Sequence, residues 1–209
     1  VTVYPKPTVS GTPLTQPICS GAAIAPITFS NPNGIAGTID YNWTRSNIGN
    51  VTGMVASGSG DITGNLSNAT NSVQTTVFTV IATTQNGCAS LPFTVSVDVN
   101  PIPTVAATPS ANQTVCSESP ITNIALSNPN GVPGPITYSW TRTNTANITG
   151  IPDGSGTSIA GSLTNTTNIA QTTVFTIKAT ANGCDSSTTT VSITVNPKPT
   201  VAVSLATQT

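Results

Sequence analysis

The sequence contains no histidine and one methionine, and only 5% of its residues are charged: 5 Lys plus Arg against 6 Asp plus Glu. An average soluble protein carries about 25% charged residues, so solubility here must rest on Thr, Ser and Asn. Without histidine the common nucleophile and base pairings are missing. A paired-carboxylate mechanism would need two of Asp40, Asp61, Asp98, Glu118, Asp153 and Asp185 to converge from unrelated loops. No catalytic residue and no cofactor are therefore expected. The basic residues Lys6, Arg45, Arg142, Lys178 and Lys198 are scattered singly and form no stripe that could neutralise phosphates, which argues against a nucleic-acid partner. No apolar run approaches the roughly 20 residues that span a bilayer, so no membrane insertion is expected in this segment. No signal-peptide pattern is present either; if the protein is exported, its signal lies outside this chain.

What the sequence has in place of chemistry is repetition. Cys19 recurs as Cys116, Trp43 as Trp140, Arg45 as Arg142 and Gly64 as Gly161, and Pro5 recurs as Pro101 and Cys88 as Cys184, each about a hundred residues on. The matched words are long: SNPNGIAGTIDYNWTR against SNPNGVPGPITYSWTR, and TTVFTVIATTQNGC against TTVFTIKATANGC. A third phrase occurs three times, as VTVYPKPTV, VDVNPIPTV and ITVNPKPTV. The expected division is a first repeat over 1–100, whose residues 1–4 resemble the end of a preceding repeat, a second over 101–197, and the start of a truncated third over 198–209. Gln113 and Thr114 are followed by Val115 and Cys116, so the parent sequence is expected to place a Cys within about three residues after Thr209.

Within each repeat, apolar and polar residues alternate as they do in half-buried strands. Phe93, Val95, Val97 and Val99 share one face, as do Val191, Ile193 and Val195 in the second copy, and Phe175, Ile177 and Ala179 on another strand. Turn words such as NPNG and NG punctuate the strands, and no useful length shows helical spacing. The fold class expected is all-β, two tandem immunoglobulin-like sandwiches. The linker prolines, Pro5 with Pro7, Pro101 with Pro103 and Pro197 with Pro199, fix φ and bias the residues before them to extended backbone, so a short, semi-rigid joint is expected.

Four cysteines, Cys19, Cys88, Cys116 and Cys184, stand near the ends of the two repeats. One disulfide within each repeat is the expectation, Cys19 with Cys88 and Cys116 with Cys184, in an oxidising compartment, over reduced thiols and over a metal site lacking CxxC spacing and histidine. Trp43 and Trp140 share strand parity with Tyr41 and Tyr138, so core packing is expected over a sugar-stacking platform, with Phe78 and Phe175 beside them in the core. Arg45 and Arg142 are expected to lay an apolar stem over the rim with the guanidinium in water or paired. No metal site is expected, and Asp153 in the DGSG loop is the weak candidate for calcium. Lys178 corresponds to Ile81, which argues against an intramolecular Lys–Asn cross-link. The N-x-T/S sequons, Asn42 and Asn147 among them, follow from an Asn- and Thr-rich composition.

The Pro-rich joint, the CSG or CSE word after the first strands, the YxWTR strand, the TTVFTVxA strand and the NGC end together resemble the PKD-like repeats of very large surface proteins in gliding bacteria. The chain carries Trp43-Thr44-Arg45 and Trp140-Thr141-Arg142 where the PKD pattern proper has a WDFGDG-like run. The resemblance implies stalk repeats of a filamentous cell-surface adhesin serving gliding motility and attachment. It further implies export by type IX secretion, display at the outer membrane, and partners that are neighbouring repeats of the same chain and, through other parts of the parent, a polysaccharide or substratum. A carbohydrate-binding or accessory module of a secreted protein is the alternative, its candidate rim formed by the SNPNG and DGSG loops.

Overall fold

A computed structural model describes residues 2–201. Val1 and residues 202–209, which hold most of the expected third repeat, lie outside the described residues. The chain forms two compact units. Among the described residues, the first is built from 2–102 with 132–134 and 182–184, and the second from the rest. No helix occurs among the described residues.

The first unit contains β1 (Ser10–Thr12), β2 (Thr15–Cys19), β3 (Thr28–Ser30), β4 (Ile39–Arg45), β5 (Val51–Thr52), β6 (Ser57–Ser59), β7 (Ser67–Asn68), β8 (Gln74–Thr84) and β9 (Phe93–Asn100). Its main sheet runs β2-β9-β8-β4-β6, and the short pairs β1-β3 and β5-β7 supply the opposing layer. The alternation read from the sequence fixes which face each strand turns inward. Val95, Val97 and Val99 of β9 and Phe78, Val80 and Ala82 of β8 are fully or almost fully buried, while Thr94 and Ile81 are exposed. Ile27, Val51, Ile62 and Leu66 meet them from the other layer with no exposed surface. Burying a side chain such as Phe78 stabilises by about 1.5–3 kcal/mol. Trp43 packs edge-to-face on Phe78 with centroids 5.6 Å apart.

The second repeat follows this plan with β10 (Ala106–Thr108), β11 (Gln113–Cys116), β12 (Ile124–Ser127), β13 (Ile136–Arg142), β14 (Ile148–Gly150), β15 (Gly154–Ser155), β16 (Ser158–Ile159), β17 (Leu163–Asn165), β18 (Gln171–Ala181), β19 (Cys184–Asp185) and β20 (Thr189–Asn196). Its main sheet runs β11-β20-β18-β13-β15, with β19 returning onto β18, opposite β10-β12-β16 and β14-β17. Phe175, Ile177, Ala179, Ile193 and Val195 have no exposed surface.

One feature of both main sheets departs from simple alternation of direction. All their neighbours pair antiparallel except the edge strand nearest the start of each repeat. β2 runs parallel to β9, from Thr15 opposite Ser96 to Cys19 opposite Asn100, and β11 runs parallel to β20, from Gln113 opposite Ile193 to Cys116 opposite Asn196.

Candidate functional site

The Pro-rich word and the NPNG turn, which look unrelated in the sequence, are hydrogen-bonded to one another in both units. Thr8 donates its amide to Asn33 Oδ1 at 3.2 Å, and its hydroxyl accepts the Asn33 amide at 3.2 Å. Asn33 Nδ2 also donates to the Lys6 carbonyl at 2.8 Å. Thr104 and Asn130 repeat the exchange, amide to Oδ1 at 3.0 Å and amide to hydroxyl at 3.1 Å. The second asparagine of each SNPNG loop therefore spends its polar atoms on the chain's own linker segment. Pro7, Pro101 and Pro103 are buried, Pro197 is half-buried, and Pro5 and Pro199 are exposed.

Beneath the β6 and β15 loops lie the tryptophans. Trp43 is 6% exposed and Trp140 is 9% exposed, too little for either to serve as a stacking platform. Tyr138 is buried and Tyr41 half-buried, the latter stacked on Phe29 at 5.7 Å. Burial raises both phenols above their ordinary value. The backbone of Gly58 crosses directly over the Trp43 indole, and that of Gly154 crosses over Trp140; a Cβ at Gly58 would stand 2.3 Å from Trp43 Cζ2, and one at Gly154 2.9 Å from Trp140 Cζ2.

Arg45 differs from its expected place at the rim. It is 7% exposed, and its guanidinium donates to three backbone carbonyls: Nη1 to Val51 at 2.8 Å, Nη2 to Met54 at 2.7 Å and Nε to Val55 at 3.3 Å. The β5–β6 loop turns its carbonyls inward, and a planar fork with five donors can satisfy several of them at once. Burial pulls the guanidinium below its ordinary value. Arg142 keeps one such bond, from Nη1 to Ile148 at 2.9 Å.

Two asparagines that the sequence reading did not single out brace the final strand of each sheet. Asn68 Nδ2 donates to the carbonyls of Ser72 and Val99, both at 2.7 Å, while its Oδ1 accepts from the Thr70 amide and hydroxyl at 2.8 and 2.9 Å. Asn165 does the same with Ile169, Val195 and Thr167, at 2.7 to 2.8 Å. Both lie in N-x-T words, so these two sequons are structural clamps whose amide nitrogens are fully used. The signal that could have found them was their recurrence in both repeats with the threonine retained.

The cysteines correct the expected pairing. The structure holds one disulfide, Cys19–Cys184, with Cα atoms 5.5 Å apart, and leaves Cys88 half-buried and Cys116 exposed as thiols. The pairs Cys19–Cys88 and Cys116–Cys184 are not formed, for a reason visible in the register. Cys19 stands opposite Asn100, the last residue of β9, whereas Cys88 precedes Phe93, its first. An eight-residue strand at 3.3 Å per residue separates its ends by about 23 Å, and a disulfide tolerates about 7 Å between Cα atoms. Cys116, opposite Asn196 at the end of β20, and Cys184, before its start at Thr189, are separated in the same way.

These observations, a twice-built sandwich with a parallel edge strand, a clamped Pro-rich entry and a buried tryptophan, meet a sequence match. The model of the PKD-like domain family matches residues 16–103 and again 113–199. The chain belongs to the PKD-like domain family. No curated protein matches it. Among solved structures it is similar to the fibronectin(III)-like modules of Clostridium thermocellum CbhA, at 15% identity and TM-score 0.38 over 91% of this chain and 95% of that one. It is also similar to mouse cadherin-23 EC22-24, at 15% identity and TM-score 0.41 over 92% and 67%, and to the DIP-gamma IG1+IG2 structure, at 11% identity and TM-score 0.37 over 92% and 98%.

The charged residues of the two PKD-like domains are mostly engaged in local structure. Asp153, the weak calcium candidate, accepts the Arg142 amide at 2.7 Å. In the first PKD-like domain the matching Arg45 amide bonds the carbonyl of Ala56, also at 2.7 Å, so the carboxylate fills a place that a backbone acceptor can fill. No group of three His, Cys, Asp or Glu side chains able to hold a metal occurs among the described residues. Lys178 bonds Asp185 at 2.6 Å, and Lys198 bonds Glu118. An open groove of about 470 Å³ over β4, β6 and β8 is lined by Asn42, Thr44, Ser57, Thr79 and Ile81.

Proposed function

We propose that the two PKD-like domains are load-bearing spacer repeats in the stalk of a filamentous bacterial surface adhesin, of the kind represented by the gliding-motility adhesin SprB. Their division into repeats follows the sequence, 1–100 and 101–197. Such a stalk sits at the cell surface, exported and associated with the outer membrane, and carries an adhesive part far from the cell. The observation that carries this reading is the reciprocal clamp between Thr8 and Asn33 and between Thr104 and Asn130. A flexible linker would leave those amides to water; here proline geometry and asparagine bonds together fix the entry to each domain.

The parallel edge pairing supports the same reading. Tension enters a domain at its first strands and leaves through its last. Pulling β2 from its start and β9 from its end slides two parallel neighbours past one another, so that all their hydrogen bonds are loaded together. Pulling a hairpin apart from its open end loads them one after another. Asn68 and Asn165 add side-chain bonds to the carbonyls of Val99 and Val195, on the strands that lead out of each domain.

Force spectroscopy on the reduced full chain held by its termini tests the proposal. Two unfolding events of similar, high force are expected, and Asn33→Ala with Asn130→Ala should loosen the entries and broaden the solution-scattering profile. Unfolding of both domains at the low force of an unzipping hairpin would overturn it. So would specific glycan binding that is lost on Trp43→Ala in a folded protein, which would favour the carbohydrate-binding alternative.

A further inference from the structure

The single disulfide has a pattern that its two free cysteines share. Cys19 and Cys116 are the early cysteines of their repeats, and Cys88 and Cys184 the late ones. The bond that forms joins an early cysteine of one repeat to the late cysteine of the other, and the two left over are again one of each kind. Neither can pair inside its own domain, because the early and late positions lie at opposite ends of the final strand.

The surroundings of Cys88 add an independent observation. Its Sγ lies 3.7 Å from the carbonyl of Tyr4. Tyr4 corresponds to Asn100 in the repeat, as Pro5 does to Pro101, and Asn100 is the register partner of the bonded Cys19. The segment at Tyr4 therefore sets beside Cys88 the strand position against which an early cysteine stands. The same end exposes apolar surface, with Val3 86%, Leu91 81% and Tyr4 48% exposed. At the other end of a repeat, Cys116 is exposed opposite Asn196, and Ile169, whose carbonyl is held by Asn165, is 68% exposed.

We propose that Cys88 and Cys116 are complementary halves of a head-to-tail staple, Cys116 of one chain closing on Cys88 of a second copy. The two ends differ, so the contact is heterologous and propagates rather than closing on itself. It rests on the serial-array reading for its setting and adds to it a covalent tie from repeat to repeat. The oxidant is a small-molecule disulfide such as oxidised glutathione. The Cys116 thiolate attacks it and expels one glutathione thiolate; the Cys88 thiolate then attacks the Cys116 sulfur of the mixed disulfide and expels the second. Two protein thiols become one disulfide, one glutathione disulfide becomes two glutathiones, and the protein's two thiol protons end on the departing thiolates.

The test uses the full chain with Cys88→Ser and Cys116→Ser made separately and incubated with oxidised glutathione. Each variant alone is expected to remain monomeric, and an equal mixture to give a disulfide-linked dimer whose peptides join Cys88 to Cys116. The unmodified chain should give a ladder of longer species that collapses on reduction. Cys19–Cys184 in the monomeric variants reports that they are folded. Dimers formed as readily by either variant alone, a mixture that stays monomeric with Cys19–Cys184 intact, or a Cys19–Cys88 linkage would each overturn the proposal. Unfolding force in the reduced chain does not depend on these outcomes, so failure here is separable from failure of the stalk reading.

Discussion

Trp140 donates its indole N–H to the carbonyl of Pro152 at 3.1 Å, and Arg142 Nε, buried close by, has no partner. The first domain resolves the same competition the other way. There the corresponding carbonyl, that of Val55, accepts Arg45 Nε at 3.3 Å, and it is the Trp43 indole nitrogen that is buried without a partner. One loop carbonyl serves two donors, and each repeat leaves a different one unsatisfied.

That swap predicts unequal effects of the same substitution. Trp140→Phe removes a made hydrogen bond, whereas Trp43→Phe removes an orphaned donor, and both lose similar volume. An intramolecular hydrogen bond contributes about 0.5–1.5 kcal/mol and a buried unsatisfied group costs about 1–3 kcal/mol. Trp140→Phe should therefore destabilise its domain by about 1–2 kcal/mol more than Trp43→Phe destabilises its own. Hydrogen exchange of β18 and β8, read by mass spectrometry in the intact chain, checks this; equal losses would remove the basis for the swap.

Asn165 is 8% exposed and makes four hydrogen bonds through one amide group. Asn165→Ala takes the amide donor from the carbonyls of Ile169 and Val195 and strands the Thr167 amide, while the Ile169 carbonyl keeps the Thr167 hydroxyl at 3.0 Å, and the change should cost about 2–4 kcal/mol. Asn165→Asp keeps the shape but turns an acceptor toward those two carbonyls, so it should be no better tolerated. Denaturant unfolding of the second domain measures both. Near-neutral behaviour of the Asp variant would show that the donor nitrogen is not what holds the exit strand.

The strands were legible because their faces obey a period of two, which burial enforces at each position from Phe175 to Ala179 and from Val95 to Val99. The cysteine pairing was not legible, because spacing along the chain says nothing about which end of a strand a residue occupies. A clue was present in NGC: a cysteine immediately after a turn dipeptide sits at the end of a strand, not in its middle. Arg45 and Asn68 escaped for a different reason. Their partners are backbone carbonyls, which carry no residue identity, so a buried polar clamp of this kind leaves no covarying pair to read.

Lys178 and Asp185 in the second domain stand where the first has Ile81 and Ala89, so an ion pair replaces an apolar pair at one place. The hydrogen bond from Lys178 is the main cause that holds the Asp185 carboxyl below its ordinary value, joined by a bond from Thr180 and the Lys178 charge. A carboxyl lowered on folding stabilises the fold above its unfolded value and loses that contribution as pH falls through its folded value. Lys178→Ile should raise the Asp185 titration midpoint toward the ordinary carboxylate range, and the stability difference between the two proteins should shrink on acidification. Carbon-detected NMR titration of Asp185 reads the shift, and an unchanged midpoint would mean that Lys178 is not its cause.

Gly58 lies so close over Trp43 that an added methyl would overlap the indole at 2.3 Å, while Gly154 leaves 2.9 Å over Trp140. Overpacking of this kind costs about 1–3 kcal/mol, and the tighter approach places Gly58→Ala above Gly154→Ala. The clash is with Trp43 Cζ2, Cε2 and Cη2, atoms that phenylalanine lacks in those positions. Trp43→Phe combined with Gly58→Ala should therefore cost less than the sum of the two single changes, a favourable coupling of the kind seen between residues in contact. Strict additivity in a double-mutant cycle would show that the Gly58 backbone is not held against the indole.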